Sequence, residues 1–142
     1  MNTSKALLTS LLITSQKGQA EIRSMLDLSM AANLRDALRS QLREFASIET
    51  EAHRIASQRG WELTELEPAA RFLIDRRIRF RLSGRNTDSK IADMMIQGNT
   101  KGLIRSIQRL NQFREEDSRV RILTQKLLDC ENAGIRQMQL FL

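Results

Sequence analysis

Apolar residues recur along this chain at spacings of three and four, the period of an amphipathic helix, in a series of separated stretches. Leu7, Leu8, Leu11, Leu12, Ile22, Met25 and Leu26 define one face of a first helix from about Thr3 to Leu28. Ser29 marks a break and a cap. Leu34, Leu38, Leu42, Phe45, Ile48, Ala52 and Ile55 then form the face of a second helix, from about Ala31 to Arg59, which Gly60 is placed to end in a left-handed conformation. Thr64 to Glu67 have capping-box spacing and Pro68 suits a first turn, which predicts a shorter helix from near Glu67 to Leu82, closed by Gly84. Asn86, Thr87, Asp88 and Ser89 supply caps for a further long helix reaching about Phe113. Asp117 or Ser118 caps the last, from Arg119 to Leu142.

Composition agrees with the pattern. One Pro, no Tyr and 4% aromatic residues, against abundant Leu, Ile, Met, Arg and Gln, favour helix over sheet, and 142 residues suit one domain, residues 1–142, with a single core. The expected fold is therefore all-α. The connection from Gly60 to Asn86 is long enough to cross from one end of a bundle to the other. It allows the second and third long helices to lie parallel, with the short helix in the crossover. Two antiparallel pairs joined by one long crossover make the left-handed, ferritin-like four-helix bundle.

A specific stretch points the same way. Ile91-Ala92-Asp93-Met94-Met95-Ile96-Gln97-Gly98-Asn99-Thr100, followed by Gly102, resembles a family of small bacterial proteins assigned to the ferritin-like superfamily. Lys17-Gly18, Gln41-Leu42 and the ending Met138 to Leu142 extend the likeness over nearly the whole chain. The resemblance implies a four-helix fold and brings no activity with it. Ferritin-type di-iron sites use a Glu-x-x-His motif on each of two helices. The single histidine here, His53, has Thr50 three residues before it, so that standard centre is excluded.

Projection at 3.6 residues per turn nevertheless puts polar groups among apolar ones. Glu131 lies in the arc of Val120, Leu127, Leu128, Ile135 and Met138; Glu49 shares the face of Leu38, Leu42 and Phe45, with His53 one turn on. Buried carboxylates must protonate, share a proton, find amide donors or bind a cation. Two readings follow: a polar network fixing helix register, drawn from Gln19, Gln41 and Asn99, or a variant metal site of Glu49, His53 and Glu131 taking Fe or Mn. Glycines at 18, 98, 102 and 134 each cost a helix about 1 kcal/mol relative to Ala, and close helix packing is the expected reason.

Charge is uneven. Net charge is +6, yet residues 1–70 carry −1 and residues 71–142 carry +7. Arg71, Arg76, Arg77, Arg79, Arg81 and Arg85 concentrate in the short helix and its end, interleaved with Phe72, Ile78, Phe80 and Leu82. Such a helix could meet anionic surfaces, although no nucleic-acid motif accompanies it; pairing with Glu65 or Glu67, or with a partner subunit, is the expected role. The lone Cys130 excludes an internal disulfide and reads as an inert thiol, and no stretch spans a membrane, which makes the cytoplasm the expected compartment. The sequence thus predicts a non-catalytic bundle without a cofactor, acting through a protein partner or self-association. The alternatives are the Fe or Mn protein and an anionic-membrane or nucleic-acid binder using the Arg-rich helix.

Overall fold

The computed structural model describes residues 3–84, 87–112 and 117–142, and all of its regular structure is helical. Its helices are α1 (Thr3–Leu26), α2 (Ala32–Arg59), α3 (Pro68–Arg81), α4 (Asp88–Gln112) and α5 (Ser118–Gln139). The expected element order is therefore borne out, with Arg85, Asn86 and Phe113 lying outside the described residues.

Helix ends show where local chemistry and tertiary contact each decide. Gly60 has φ 69° and its N–H bonds Ser57 O at 3.3 Å, the left-handed ending its lack of Cβ permits. Asp117 caps α5, its carboxylate accepting from Arg119 N at 3.0 Å and Val120 N at 3.4 Å. Ser29 does not cap α2. The N-cap is Ala31, whose N–H donates to Asp88 of the α4 N-terminus at 3.2 Å, so a neighbouring helix supplies the acceptor. Thr64 forms no capping box either, because α3 begins after Glu67 without a side-chain cap, and Leu66 N is taken instead by Gln16 Oε1 at 2.8 Å. The last helix stops at Gln139 rather than Leu142, because the final amides bond three residues back instead of four. At the end of α1, the Arg35 guanidinium reaches back to Leu26 O and Leu28 O at 2.7 and 2.8 Å.

Neighbouring helices α1 and α2, α2 and α5, and α5 and α4 pack side by side, α4 returns to α1, and α3 rests on α1. Contacts fix their directions. Gln16 meets Glu49 while Gly18 meets Phe45, and Asn99 meets Gly134 while Gly102 meets Glu131; each pair runs in opposite directions. Between α2 and α5, Gln41 reaches Gln137 and Arg59 reaches Asp117, again in opposite directions. The apolar arcs expected from the sequence supply the core, with Leu8, Leu12, Ile22, Leu34, Leu38, Phe45, Ile48, Ile91, Val120, Leu127 and Met138 buried.

Close packing at the helix glycines has a specific cause in each case. A Cβ on Gly18 would stand 2.8 Å from the Phe45 ring, and one on Gly134 would stand 2.5 Å from the Asn99 amide. Gly98 and Gly102 instead clear space for carboxylates, those of Glu21 and Glu131. Substituting Gly18→Ala should destabilise the protein by about 1–3 kcal/mol through overpacking against Phe45, despite the better helix propensity of Ala. Urea denaturation checks this, and an unchanged or raised midpoint would show that the ring moves aside.

Candidate functional site

Polar residues in the interior sort into two separate groups. The first joins α1, α2 and the segment before α3. Gln16 Nε2 donates to Glu49 Oε2 at 2.7 Å and to Glu65 Oε1 at 3.0 Å, and Gln19 Nε2 donates to Glu49 Oε1 at 2.8 Å. His53 Nε2 stands 2.9 Å from Glu65 Oε1. Burial pushes the Glu49 carboxyl up, but the two amide donors, with His53 and Arg71 nearby, outweigh it and hold the group below its ordinary value. Ligand atoms of Glu49, His53 and Glu65 lie within 4.8 Å of one another, the one such group of three among the described residues. Glu49 and His53 thus come together as expected, but their third neighbour is Glu65 and not Glu131. Gln19 also belongs here, apart from Gln41 and Asn99.

Glu131 projects from α5 into the second group. On the α2 side, Asn99 Nδ2 donates to Gln41 Oε1 at 3.3 Å and Gln41 Nε2 to Gln137 Oε1 at 3.4 Å. On the α1 side lies a cavity of about 280 Å³, bordered by Glu131, Glu21, Asn99, Gly98, Gly102 and Gly18. Lys17, Arg77, Arg81, Lys101 and Arg105 also line it, with Phe45, Ile78 and several methionines as apolar wall.

Glu131 is 2% exposed, and its Oε2 has no hydrogen-bond partner; Thr14 Oγ1 is the other such buried atom among the described residues, and Thr14 lines the same cavity. Burial, reinforced by the Glu21 charge and opposed by Arg105, pushes the Glu131 carboxyl up to about 8. Burial also raises Glu21, against Arg77, Lys101, Lys17 and Arg105, and lowers Lys17, with Arg105 acting in the same direction. Sequence reasoning found Glu131 but missed Glu21, which sits beside a polar run and gains its importance only through the approach of α4. Gly98 was the available signal, since a helix glycine needs something to occupy its place.

The third feature is α3. Ile74, Ile78 and Leu82 turn toward the core, whereas Phe72, Leu73 and Phe80 are 61%, 65% and 80% exposed. The Arg76 guanidinium lies over the Phe72 ring, 5.7 Å from its centroid. Arg79 pairs with Asp75 at 2.9 Å and with Asp27 of the α1–α2 turn at 2.7 Å, and Ser24 donates to Asp75 at 2.7 Å, which clamps α3 to α1. Arg79 therefore finds Asp27 and Asp75 in place of the expected Glu65 and Glu67, since Glu65 is turned toward His53 and Gln16. Arg71, Arg76, Arg77 and Arg81 share the helix, Arg77 and Arg81 at the cavity; Arg85 falls outside the described residues. Cys130 lies beside Gln41 and Glu44, and burial first, then Glu131 and Glu44, pushes its thiol up to about 12, which makes it a poor nucleophile at neutral pH.

Fold and sites together define an all-helical protein with a carboxylate-lined interior cavity and an arginine-rich outer helix; among the described residues no helix is long and apolar enough to cross a membrane. Comparisons with protein-family models, curated proteins and solved structures find no match to this chain.

Burial of Glu131 makes stability depend on pH. Its folded value of about 8 lies above its ordinary 4.5, so between the two the folded protein holds a proton that the unfolded chain has lost. The stabilisation is complete below about 4.5 and is lost as pH rises through about 8, and Glu21, also raised, adds in the same sense. The unfolding free energy should therefore fall, by on the order of 4 kcal/mol at most, between about pH 5 and pH 8.5. Glu131→Gln should remove most of that slope. Urea denaturation at both pH values tests it, and equal slopes in parent and variant would show that Glu131 ionises normally.

Proposed function

We propose that the chain is a ferritin-like helical bundle that works as a binding module, docking an acidic partner protein on the outer face of α3. The ferritin-like reading is supported by the helix directions, which make α2 and α4 run the same way on either side of the crossover that carries α3. It is also supported by Glu21, Gln41, Asn99 and Glu131, which come from four different helices to the bundle centre, where ferritin-type proteins gather their ligands.

The observation that carries the docking reading is the exposure of Phe72, Leu73 and Phe80 among arginines. Aromatic side chains and Arg are the residues enriched at the energetic centres of protein interfaces. Interfacial membrane helices separate their apolar and basic faces, whereas here the Arg76 guanidinium lies over the Phe72 ring. Two copies of α3 meeting face to face would oppose their guanidinium groups, so the complementary surface is acidic.

Because Phe72 and Phe80 are exposed, the double variant Phe72→Ser/Phe80→Ser should keep its circular dichroism and melting temperature. It should lose affinity for the partner by at least about tenfold, since each buried Phe contributes about 1.5–3 kcal/mol. Affinity capture from source cells with parent and variant, at low and high salt, checks this. An acidic protein retained only by the parent, and released by salt, supports docking. Identical captures, or retention of nucleic acid or anionic vesicles alone, would reject it.

The Glu49, His53 and Glu65 grouping supports a second reading, binding of iron or manganese by two carboxylates and an imidazole, with Glu65 in the place expected for Glu131. The metal would displace the Gln16 and His53 hydrogen bonds to Glu65. Titration with Mn²⁺ followed by electron paramagnetic resonance should show saturable binding that Glu49→Ala and Glu65→Ala both abolish. Binding unaffected by either variant, or none, eliminates this site.

A further inference from the structure

Thr14 and Glu131 reach the same cavity from α1 and α5, each with a buried oxygen that finds no partner among the described residues. Buried polar groups are almost always satisfied, so two side chains that line one cavity and are each left a hydrogen bond short mark it as a place for another molecule. Sequence also places its acids. Gly98 and Gly102 leave room at its edge for the Glu21 and Glu131 carboxylates, which lie where a side chain on α4 would begin.

Charge around the cavity is of both signs. Glu21 and Glu131 provide negative charge beside α4, while Lys17, Arg77, Arg81, Lys101 and Arg105 supply positive charge from α1, α3 and α4. A bare metal cation would be held by two carboxylates against five cationic side chains. A simple anion would suit the lysines and arginines but face the carboxylates. Between the polar groups, Met25, Phe45, Ile78, Met94 and Met95 offer an apolar wall. The volume, about 280 Å³, lies just below the range of drug-sized ligand pockets, which begins at about 300 Å³, and suits a smaller molecule.

We propose that this cavity binds a small amphoteric molecule of the amino acid class, its ammonium group held by Glu131 and Glu21 and its carboxylate by the lysines and arginines. Thr14 completes the ammonium site, its hydroxyl oxygen accepting a hydrogen bond. The inference is independent of the outer face of α3.

Binding has a proton signature. The charged groups that line the cavity with Glu131 are Lys17 and Glu21 from α1, Arg77 and Arg81 from α3, and Lys101 and Arg105 from α4, of which Glu21 and Arg105 act on it most directly, while α2 brings the uncharged Gln41 and Phe45 to this part of the interior. With its carboxyl raised to about 8, Glu131 is protonated in the free protein at pH 7. An arriving ammonium ion favours the carboxylate, so the Glu131 proton leaves to the buffer as the complex forms.

Isothermal titration calorimetry at about pH 7 with glycine, aminobutanoate and aminohexanoate, against butanoate, hexanoate, butylamine and hexylamine, tests the proposal. At least one amino acid should bind about tenfold or more tighter than its one-ended analogues, the scale of one charge-assisted hydrogen bond. Its heat should change with the ionisation enthalpy of the buffer, reporting the released proton. Glu131→Gln and Arg105→Gln should each weaken binding by about tenfold or more. Glu131→Gln should at the same time hold or raise the melting temperature of the free protein, which separates loss of a ligand contact from loss of fold. Amines or acids alone binding as tightly, no binding by any compound, or unchanged affinity in Glu131→Gln would each overturn the proposal.

Discussion

Everything at the centre of this protein depends on how closely α1 and α5 approach α4. Where α4 turns inward it has glycine at 98 and 102, and the space a side chain would take is occupied by the carboxylates of Glu21 and Glu131. Each glycine weakens the helix by about 1 kcal/mol, and each carboxylate is costly to bury. For Glu131, pushed up to about 8, the cost is lowered by protonation, since a neutral acid needs far less hydration than an ion. Burial raises Glu21 as well, against the cations around it.

The two polar groups in the interior are built by different physics. At Glu49, two amide side chains from one turn of α1 donate to both carboxylate oxygens, so the ionised form is favoured although the group is partly buried. Gln16 adds a backbone bond to Leu66 and ties the crossover to the bundle. Donors are thus supplied to Glu49 by its own chain, while Glu131 keeps one oxygen without any. The same residue type is held below its ordinary value in one place by its donors and pushed up to about 8 in the other by deeper burial and the Glu21 charge.

Helix positions were legible in the sequence because apolar periodicity reports burial directly, and the arcs named from it form the core. Caps were legible where the capping bond is local, as at Asp117 and Gly60, and not where the acceptor comes from elsewhere, as when Asp88 serves Ala31. The candidate site was half legible. Glu131 stood in an apolar arc, but its neighbours are set by helix pairing. Register across the α4–α5 pair brings it to Gly102, and the return of α4 to α1 brings Glu21, neither of which periodicity on one helix can disclose. The exposure of Phe72 and Phe80 was hidden for a related reason. Alternation with arginines fits either side of α3 facing inward, and Ile74, Ile78 and Leu82 take the core side.

The abundance of arginine and lysine around the cavity raises the question of why Glu131 is not simply an ion paired with one of them. Arg105 does favour the charged form, but it is outweighed by burial and by the Glu21 charge. Guanidinium groups at a surface are solvated and screened, so their field at a carboxylate inside the bundle is weak beside the hydration the carboxylate has lost. None comes within ion-pair distance of Glu131 among the described residues, and none donates a hydrogen bond to its free oxygen. The cations around the cavity therefore do not neutralise the acid within it. They remain available to an anionic group, and the acid remains available to a donor, which is the division of charge that a two-ended ligand requires.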